Sequence, residues 1–432
     1  MNKKVIRQPF LRVELTPPGD KSIAHRAVIL NSFAGGKAHI THFCGGADCL
    51  STIRCIRALG VKVNRSSAFP DVIDVWGVGH NGLREPENVL DAGNSGTTTR
   101  LLAGLLSGQA FLSVLTGDAS LRSRPMGRVI KPLRLMGADV QGRCGGQYAP
   151  LVIKGGPIHG ISYSLPEPSA QVKSALILAG LFASGQTSII EPAPTRDHTE
   201  RMLEHMGAPL KRQGSKVTVS RPTTPLRPLS LKVPGDISAA AYWLVAGAIH
   251  PDARVKISDC GVNPTRTGIV DIMRAMGAKI VVQSKQTVGG EPVADIIVGP
   301  GPLEGVELEG DVIVRAIDEV PVLAVAACFA RGKTIIRSAG ELRVKETDRI
   351  TQTAHELSKM GARIDELPDG MVIHGVGRLK GAVVDSHGDH RLAMSLAVAG
   401  LVATGVTIIK GAEAASISYP GFWDDLEGSI RH

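Results

Sequence analysis

Residues 17–26 read Pro-Pro-Gly-Asp-Lys-Ser-Ile-Ala-His-Arg, and residues 233–238 read Val-Pro-Gly-Asp-Ile-Ser, nearly the same phrase about half a chain later. Each runs into a stretch rich in Ala, Leu, Ile and Val, over 23–33 and 237–249, whose pattern predicts a helix. Asp just ahead of such a run is a start signal, because its carboxylate accepts from the N–H groups of the first turn. The echo divides the chain into two homologous halves. Further helices are predicted over 97–106, 171–183, 319–330 and 391–403, each ending in a small-residue turn and a β-like run such as Ser-Gly-Gln-Thr-Ser-Ile-Ile-Glu at 184–191. A second phrase, Leu/Met-Gly-Val/Ala, recurs at Leu59, Met136, Met206, Met276 and Met360 and leads each time into a β-like segment. A spacing of about seventy to eighty residues implies tandem copies of one βα unit, three per half, rather than a short-period solenoid.

The starts of these helices carry the chemistry. A helix N-terminus offers N–H groups without intrahelical partners and the positive end of the dipole. Lys21, Ser22 and Arg26 at the first helix make it suited to a phosphate or carboxylate. The second opens Asn94-Ser-Gly96-Thr97-Thr-Thr-Arg100, the third Ser169-Ala-Gln171-Val-Lys173, the fifth Asp318-Glu319 and the sixth Asp389-His390-Arg391. The fourth, Asp236-Ile-Ser238, carries no cation. A solvated cap accounts for any one of these. It accounts poorly for Lys, Arg, Gln and Asp opening several helices apolar enough to be buried, whereas convergence on one polar cleft does so. Other charged phrases are Arg122-Ser-Arg124-Pro-Met, Arg196-Asp-His-Thr-Glu200 and Glu341 through Arg349. Lys345 and Arg349, four apart, are predicted to share a helix face, where a surface salt-bridge ladder is the competing reading.

Composition bounds the answer. A chain of 432 residues with 43% hydrophobic and 21% charged residues reads as globular with two domains. The longest apolar runs reach only about eleven residues, short of a membrane span, and the start lacks a signal-peptide core, so a cytoplasmic protein is expected. Six cysteines without a CxxC pair read as reduced thiols. A net charge of +9 favours anionic partners, while 3% aromatic content and the lack of a basic run argue for small multiply charged acids over nucleic acid. Gly77-Val-Gly-His-Asn-Gly82 matches a dinucleotide fingerprint formally, but no small-residue helix follows it. Arg331-Gly-Lys-Thr334 lacks the leading glycine of a phosphate loop and runs into a strand. His387, Asp389 and His390 show no second ligand cluster in sequence, so a structural or capping role is expected and no metal.

Taken in order, PPGDKSIAHR, NSGTTTRLL (94–102), SRPMG (123–127), SAQVKSA (169–175), RDHTE (196–200), NPTR (263–266), IDEVPVLAVAA (317–327), LRVKETDR (342–349) and GDHRLAMS (388–395) closely resemble the EPSP synthase family, in its class II bacterial branch. The resemblance covers nearly the whole chain. It implies a two-domain inside-out α/β barrel, each domain built of three βαβαββ units with parallel helices whose N-termini face the interdomain cleft. One domain would be 1–20 plus 236–432, the other 21–235, with crossovers near 19–20 and 234–236. The implied reaction moves the enolpyruvyl group of phosphoenolpyruvate to the 5-hydroxyl of 3-phosphoshikimate, in the shikimate pathway to chorismate, with no metal or organic cofactor. By motif, Asp318 matches the family's base, Glu346 a proton-transfer group, and Lys21 a residue bridging the substrates. Ser22, Arg26, Ser169, Gln171, Arg196 and Lys345, with Lys21 and Asp318, match 3-phosphoshikimate ligands. Asn94, Gly96, Thr97, Arg124, Gln171, Arg349 and Arg391, with Lys21, match the phosphoenolpyruvate site. A monomer acting on small molecules, without nucleic acid or membrane, is implied.

Two positions depart from the family pattern. Ile417-Ser-Tyr-Pro420 stands where many relatives carry Lys-Thr-Phe-Pro, so a phosphoenolpyruvate contact is missing or supplied elsewhere. Leu101 stands where the glyphosate-sensitive branch has Pro, while Gly96 leaves open the space that Ala crowds in tolerant relatives; the two together imply intermediate sensitivity to glyphosate. The rival readings are UDP-N-acetylglucosamine enolpyruvyl transferase and a non-catalytic RNA-binding repeat protein. The first presents a Cys before its Arg-Pro phrase, where Thr116 to Pro125 holds none; the second has no use for Asp318 and Glu346 among cations.

Overall fold

In the computed structural model, which describes residues 1–429, the chain forms two compact units. A terminal unit holds Met1–Pro18, Pro234–Gln286 and the chain from Pro292 onward; a middle unit holds Gly19–Val233 and Thr287–Glu291. The middle unit is built on helices α1 (Lys21–Ser32), α2 (Gly96–Ser107) and α3 (Ala170–Gly180), the terminal unit on α4 (Ile237–Ile249), α5 (Val320–Cys328) and α6 (His390–Val402). The sequence places α4 at its observed bounds and the others to within about three residues at their ends. At 319–330 a 3₁₀ turn, Ile317–Glu319, precedes α5. Pro321 sits in the first turn of α5, where its missing N–H leaves no bond unmade.

Four of these helices are crossovers between parallel strands: Leu90–Asp91 with Leu112–Thr116 around α2, Ser162–Ser164 with Gln186–Ile190 around α3, Glu307–Leu308 with Lys333–Ile336 around α5, and Val383–Asp385 with Val406–Lys410 around α6. The remaining two units exchange first strands. Leu11–Leu15 precedes α1 in sequence yet pairs with Ala253–Gly261, beyond α4, with Val13 opposite Val255. Leu231–Lys232 precedes α4 yet pairs with Gly35–Thr41, beyond α1. In five sheets a second helix follows and stops at Gly60, Gly137, Gly207, Gly277 or Gly361, with φ of 86, 90, 84, 96 and 91°. That left-handed stop, cheap only for glycine, is why the Leu/Met-Gly phrase recurs. The sixth sheet has three strands among the described residues, and Asn2–Ile6 closes it antiparallel to Val406–Lys410.

Each unit has its own apolar core. The central helices are buried along nearly their whole length, Ile237 through Ala248 without a break, as all-round apolar helices must be. A Cβ on Gly104 would lie 2.1 Å from the Ala175 carbonyl oxygen, so glycine lets α2 and α3 meet backbone to backbone. In the terminal unit Tyr419 and Trp423 pack edge-on against Phe422, which packs on Tyr242. Ile417 joins the same core. The Ile-Ser-Tyr-Pro phrase is therefore apolar packing here. Gly77–Gly82 closes strand Ile73–Val78 and no helix follows before Leu90. All six cysteines are thiols, with Cys144 exposed and the others buried. No described helix is long and apolar enough to cross a membrane.

Candidate active site

In the middle unit the helix starts hold cations against polar partners. Asp20 caps α1 by accepting from the Ile23 N–H at 2.9 Å. That leaves Lys21 and Ser22 on the opening turn, where the Lys21 ammonium pairs with buried Asp48 and Arg196 reaches the Ser22 hydroxyl at 3.5 Å. Arg26 lies one turn deeper and is buried, donating to Thr199 Oγ1 (2.7 Å), Ser174 Oγ (2.8 Å) and the Ser22 carbonyl (3.0 Å). Burial lowers its pKa to about 10, with Glu200 opposing the drop and Arg196 adding to it. At α2, Ser95 is the cap, accepting from the Thr98 N–H at 3.1 Å. Gln171, from the first turn of α3, bridges to it: its carbonyl oxygen accepts from Arg100 at 2.7 Å and its amide donates to Thr97 Oγ1 at 2.9 Å. Arg124 donates to the Asn94 side chain and carbonyl. A Cβ on Gly96 would stand 2.7 Å from Arg100 Nη1, too close without a shift, and 3.7 Å from Arg124 Nη1, an ordinary contact, so this glycine keeps room for the Arg100 guanidinium.

In the terminal unit three helix starts gather acids and cations together. Asp318, in the 3₁₀ turn ahead of α5, lies 3.4 Å from Arg349, 3.9 Å from Arg391 and 4.0 Å from Lys345. Glu346 accepts from Arg349 at 2.6 Å, and Asp389, the cap of α6, accepts from the same guanidinium at 2.7 Å. Burial works against the charge of Arg349, but Asp389, Glu346 and Asp318 more than offset it and hold its pKa above the ordinary arginine range. Arg391 is likewise raised against the pull of burial, by Tyr242, Asp318, Glu319 and Asp236. Lys345 is lowered, chiefly by burial, with Asp318 and Glu341 opposing. The start of α4, which has no cation in sequence, acquires one in space: Arg266 donates to Asp236 (3.2 Å) and Ser238 (2.7 Å).

One expectation fails. Lys345 and Arg349 do not share a helix face, because Lys345 is the extended residue ending the 3₁₀ turn Gly340–Val344 and the next helix, Arg349–Lys359, begins only after its Asp348 cap. Asp348 accepts from the N–H groups of Ile350 and Thr351, so the chain must bend at 345–348, and that bend turns both cations to Asp318. The other candidates fall into two sets: Lys21, Ser22, Arg26, Asn94, Gly96, Thr97, Arg124, Ser169, Gln171 and Arg196 on helix starts or adjoining loops of the middle unit, and Asp318, Lys345, Glu346, Arg349 and Arg391 together in the terminal unit. Arg100, Asp48 and Arg266 were missed as members. Arg100 had a signal, lying one helical turn after Gly96, whereas Asp48 and Arg266 arrive through long-range packing.

A buried hydrogen-bonded chain ties α1 to α2: His25 Nδ1 to Thr52 Oγ1 (2.6 Å), Thr52 to Thr98 (2.7 Å) and Thr98 to Ser95 (2.7 Å). Burial pushes the His25 pKa down to about 3; Asp48 opposes this, and Lys21 and Arg26 add to it. The unfolded chain therefore takes up a proton near pH 6.5 that the folded chain refuses. The stability from neutral His25 is complete above that value and is lost as pH falls, by about 2 kcal/mol between pH 7 and 5. His25→Asn should flatten the stability–pH slope in urea denaturation across this window; an unchanged slope would show that other groups set it.

The match with known proteins agrees in extent and in fold. A sequence model of EPSP synthase (3-phosphoshikimate 1-carboxyvinyltransferase) matches residues 7–426. A 3-phosphoshikimate 1-carboxyvinyltransferase of Herpetosiphon aurantiacus is 54% identical over 425 residues, 98% of each chain. The 2.37 Å structure of EPSP synthase from Acinetobacter baumannii superposes with a TM-score of 0.88 at 42% identity, covering 99% of this chain and 98% of that one, which gives the fold as two-domain inside-out α/β. An enolpyruvyl transferase from Streptomyces tendae, at 17% identity and a TM-score of 0.80 over 99% of this chain and 97% of its own, shares the fold alone. Neither the UDP-N-acetylglucosamine reading nor the RNA-binding reading is favoured by these relatives. With the acid–cation clusters at its helix starts and this similarity from end to end, the chain belongs to the EPSP synthase family.

Proposed function

We propose that this chain transfers the carboxyvinyl group of phosphoenolpyruvate to the 5-hydroxyl of 3-phosphoshikimate by addition and elimination. The hydroxyl oxygen bonds to C2 while C3 gains a proton; C3 then returns a proton as the C2–O bond to phosphate breaks, giving 5-enolpyruvylshikimate-3-phosphate and phosphate. The observation that carries this reading is the terminal-unit cluster, where Asp318 and Glu346 lie among Lys345, Arg349 and Arg391. The chemistry needs a base at the hydroxyl, an acid at the methylene and cations over carboxylate and phosphate. Asp318 takes the hydroxyl proton and Glu346 serves C3. Lys21, at the positive end of α1, spans both substrates. Ser22, Arg26, Ser169, Gln171, Arg196 and Lys345 hold 3-phosphoshikimate; Gly96, Arg124, Arg349 and Arg391 hold phosphoenolpyruvate, with Asn94 and Thr97 shaping the loop. Arg26 is braced for that role by its hydrogen bonds to the Ser22 carbonyl, Ser174 and Thr199. On this reading the middle unit is the 3-phosphoshikimate-binding domain and the terminal unit supplies the acid–base pair. The reading also takes the chain as a cytoplasmic monomer, in keeping with two small, freely diffusing anionic substrates.

The test is phosphate release from phosphoenolpyruvate with 3-phosphoshikimate or with UDP-N-acetylglucosamine as acceptor. Release with the first only is expected, and Lys21→Ala should slow it by roughly 10²–10³-fold, the cost of one cation aimed at developing charge. Turnover with the second acceptor would overturn the substrate assignment.

A further inference from the structure

The helix that begins at Arg349 carries a second cluster near its other end. Glu356 is fully buried, and its Oε1 accepts from the rings of His387 at 2.8 Å and His355 at 3.1 Å. One donor atom from each of the three residues lies within 4.8 Å of the others. In sequence His387 stands only with its neighbours Asp389 and His390; its partners come from the helix Arg349–Lys359, with Glu356 lying 31 residues back. It takes a left-handed backbone (φ 51°), rare for a residue with a side chain, and the Asp385 side chain fixes that turn by accepting from the His387 N–H at 2.8 Å. The Asp385 N–H in turn donates to Glu356 Oε2 at 2.9 Å, orienting the carboxylate from behind.

We propose that His355, Glu356 and His387 form a binding site for a divalent transition metal of the zinc class, separate from the acid–cation cluster around Asp318. Metal–ligand bonds of about 2.0–2.2 Å at tetrahedral angles hold adjacent donor atoms about 3.3 Å apart, so the observed triangle closes on a metal with shifts of about 1 Å. The two imidazoles can make those shifts, since the side chains are 59% and 33% exposed, while the carboxylate is held. Two imidazole nitrogens and one carboxylate select Zn²⁺, Ni²⁺ or Cu²⁺ over Mg²⁺ or Ca²⁺, which prefer all-oxygen shells. A hollow of about 540 Å³, bordered by His355, His387, Thr351 and Glu366, leaves room for water on the open side. Lys359, which donates to both Glu356 oxygens at 2.8 and 2.9 Å, is the carboxylate's present counter-charge; 37% exposed, it swings to solvent when the dication takes its place. The metal would join the helix that starts at Arg349 to the loop that ends at Asp389.

The experiment is calorimetric titration of the full chain with Zn²⁺, in a Cys144→Ser background because that thiol is exposed and competes for metal. One equivalent should bind saturably. His355→Asn and His387→Asn should each weaken it at least about tenfold, comparable to the loss on removing a ligand's supporting partner. Asparagine is chosen at 387 because it tolerates the left-handed backbone. Lys359→Met, which removes the competitor, should tighten binding. Absence of a saturable equivalent, affinity unchanged from the parent in both histidine variants, or Mg²⁺ binding as tightly as Zn²⁺ would overturn the site.

Discussion

Arg349→Met is expected to lose about 3–5 kcal/mol of stability, the usual cost of removing one partner from a buried ion pair. The guanidinium is 2% exposed, within 2.7 Å of Asp389 and 2.6 Å of Glu346, with Asp318 at 3.4 Å. Methionine fills similar volume, so the loss reports charge rather than a cavity. Without the cation, neighbouring carboxylates crowd a poorly solvated space and at least one must take a proton, so its folded pKa rises above the unfolded value. A group raised in this way stabilises below its unfolded pKa, and the contribution is lost as pH climbs through the folded one. The deficit of Arg349→Met should therefore shrink on acidification from pH 7 to 5, opposite in sign to the effect of His25. Urea denaturation of both proteins at the two pH values reads this directly; a variant as stable as the parent at pH 7 would mean the carboxylates find another partner.

Asp318→Asn is expected to leave the fold standing and to cut kcat by roughly 10²–10⁴-fold, the range for loss of a positioned proton acceptor. The isosteric amide keeps the shape of the 3₁₀ turn and can still accept from Arg349, so urea midpoints should stay close to the parent value. What it cannot do is take the hydroxyl proton. Steady-state phosphate release at saturating substrates separates the cases. A kcat within threefold of the parent would remove Asp318 from the base role and shift attention to Glu346 or Lys345, whose pKa burial lowers.

Local signals carried much of this. The starts of α1, α2, α3, α4 and α6 were legible because Asp, Ser and Gly-Asp phrases mark them, and the five left-handed glycines because glycine suits that stop at least cost. Pairings set by distant packing were not legible. Nothing local in Leu11–Leu15 announces Ala253–Gly261 as its neighbour, or puts Arg266 at the opening of α4. The bend at 345–348 was hidden because i, i+4 spacing is the same on paper whether or not the chain is helical. The site residues themselves came from ordered motifs, and the His–Glu–His cluster escaped because its members sit on two separate segments.

The pairing of Asn2–Ile6 with Val406–Lys410 sets a timetable on the ribosome. Asn2 lies opposite Lys410, so this strand meets its partner only after about four hundred further residues have been made. At about 5–20 residues per second that interval is roughly 20–80 s. Nearly all of the middle unit, Gly19–Val233, is made within it and is free to fold first, while this strand waits with its hydrogen-bonding edge open. Lys3 and Lys4 lie on that strand, and their charge discourages premature pairing with another nascent chain.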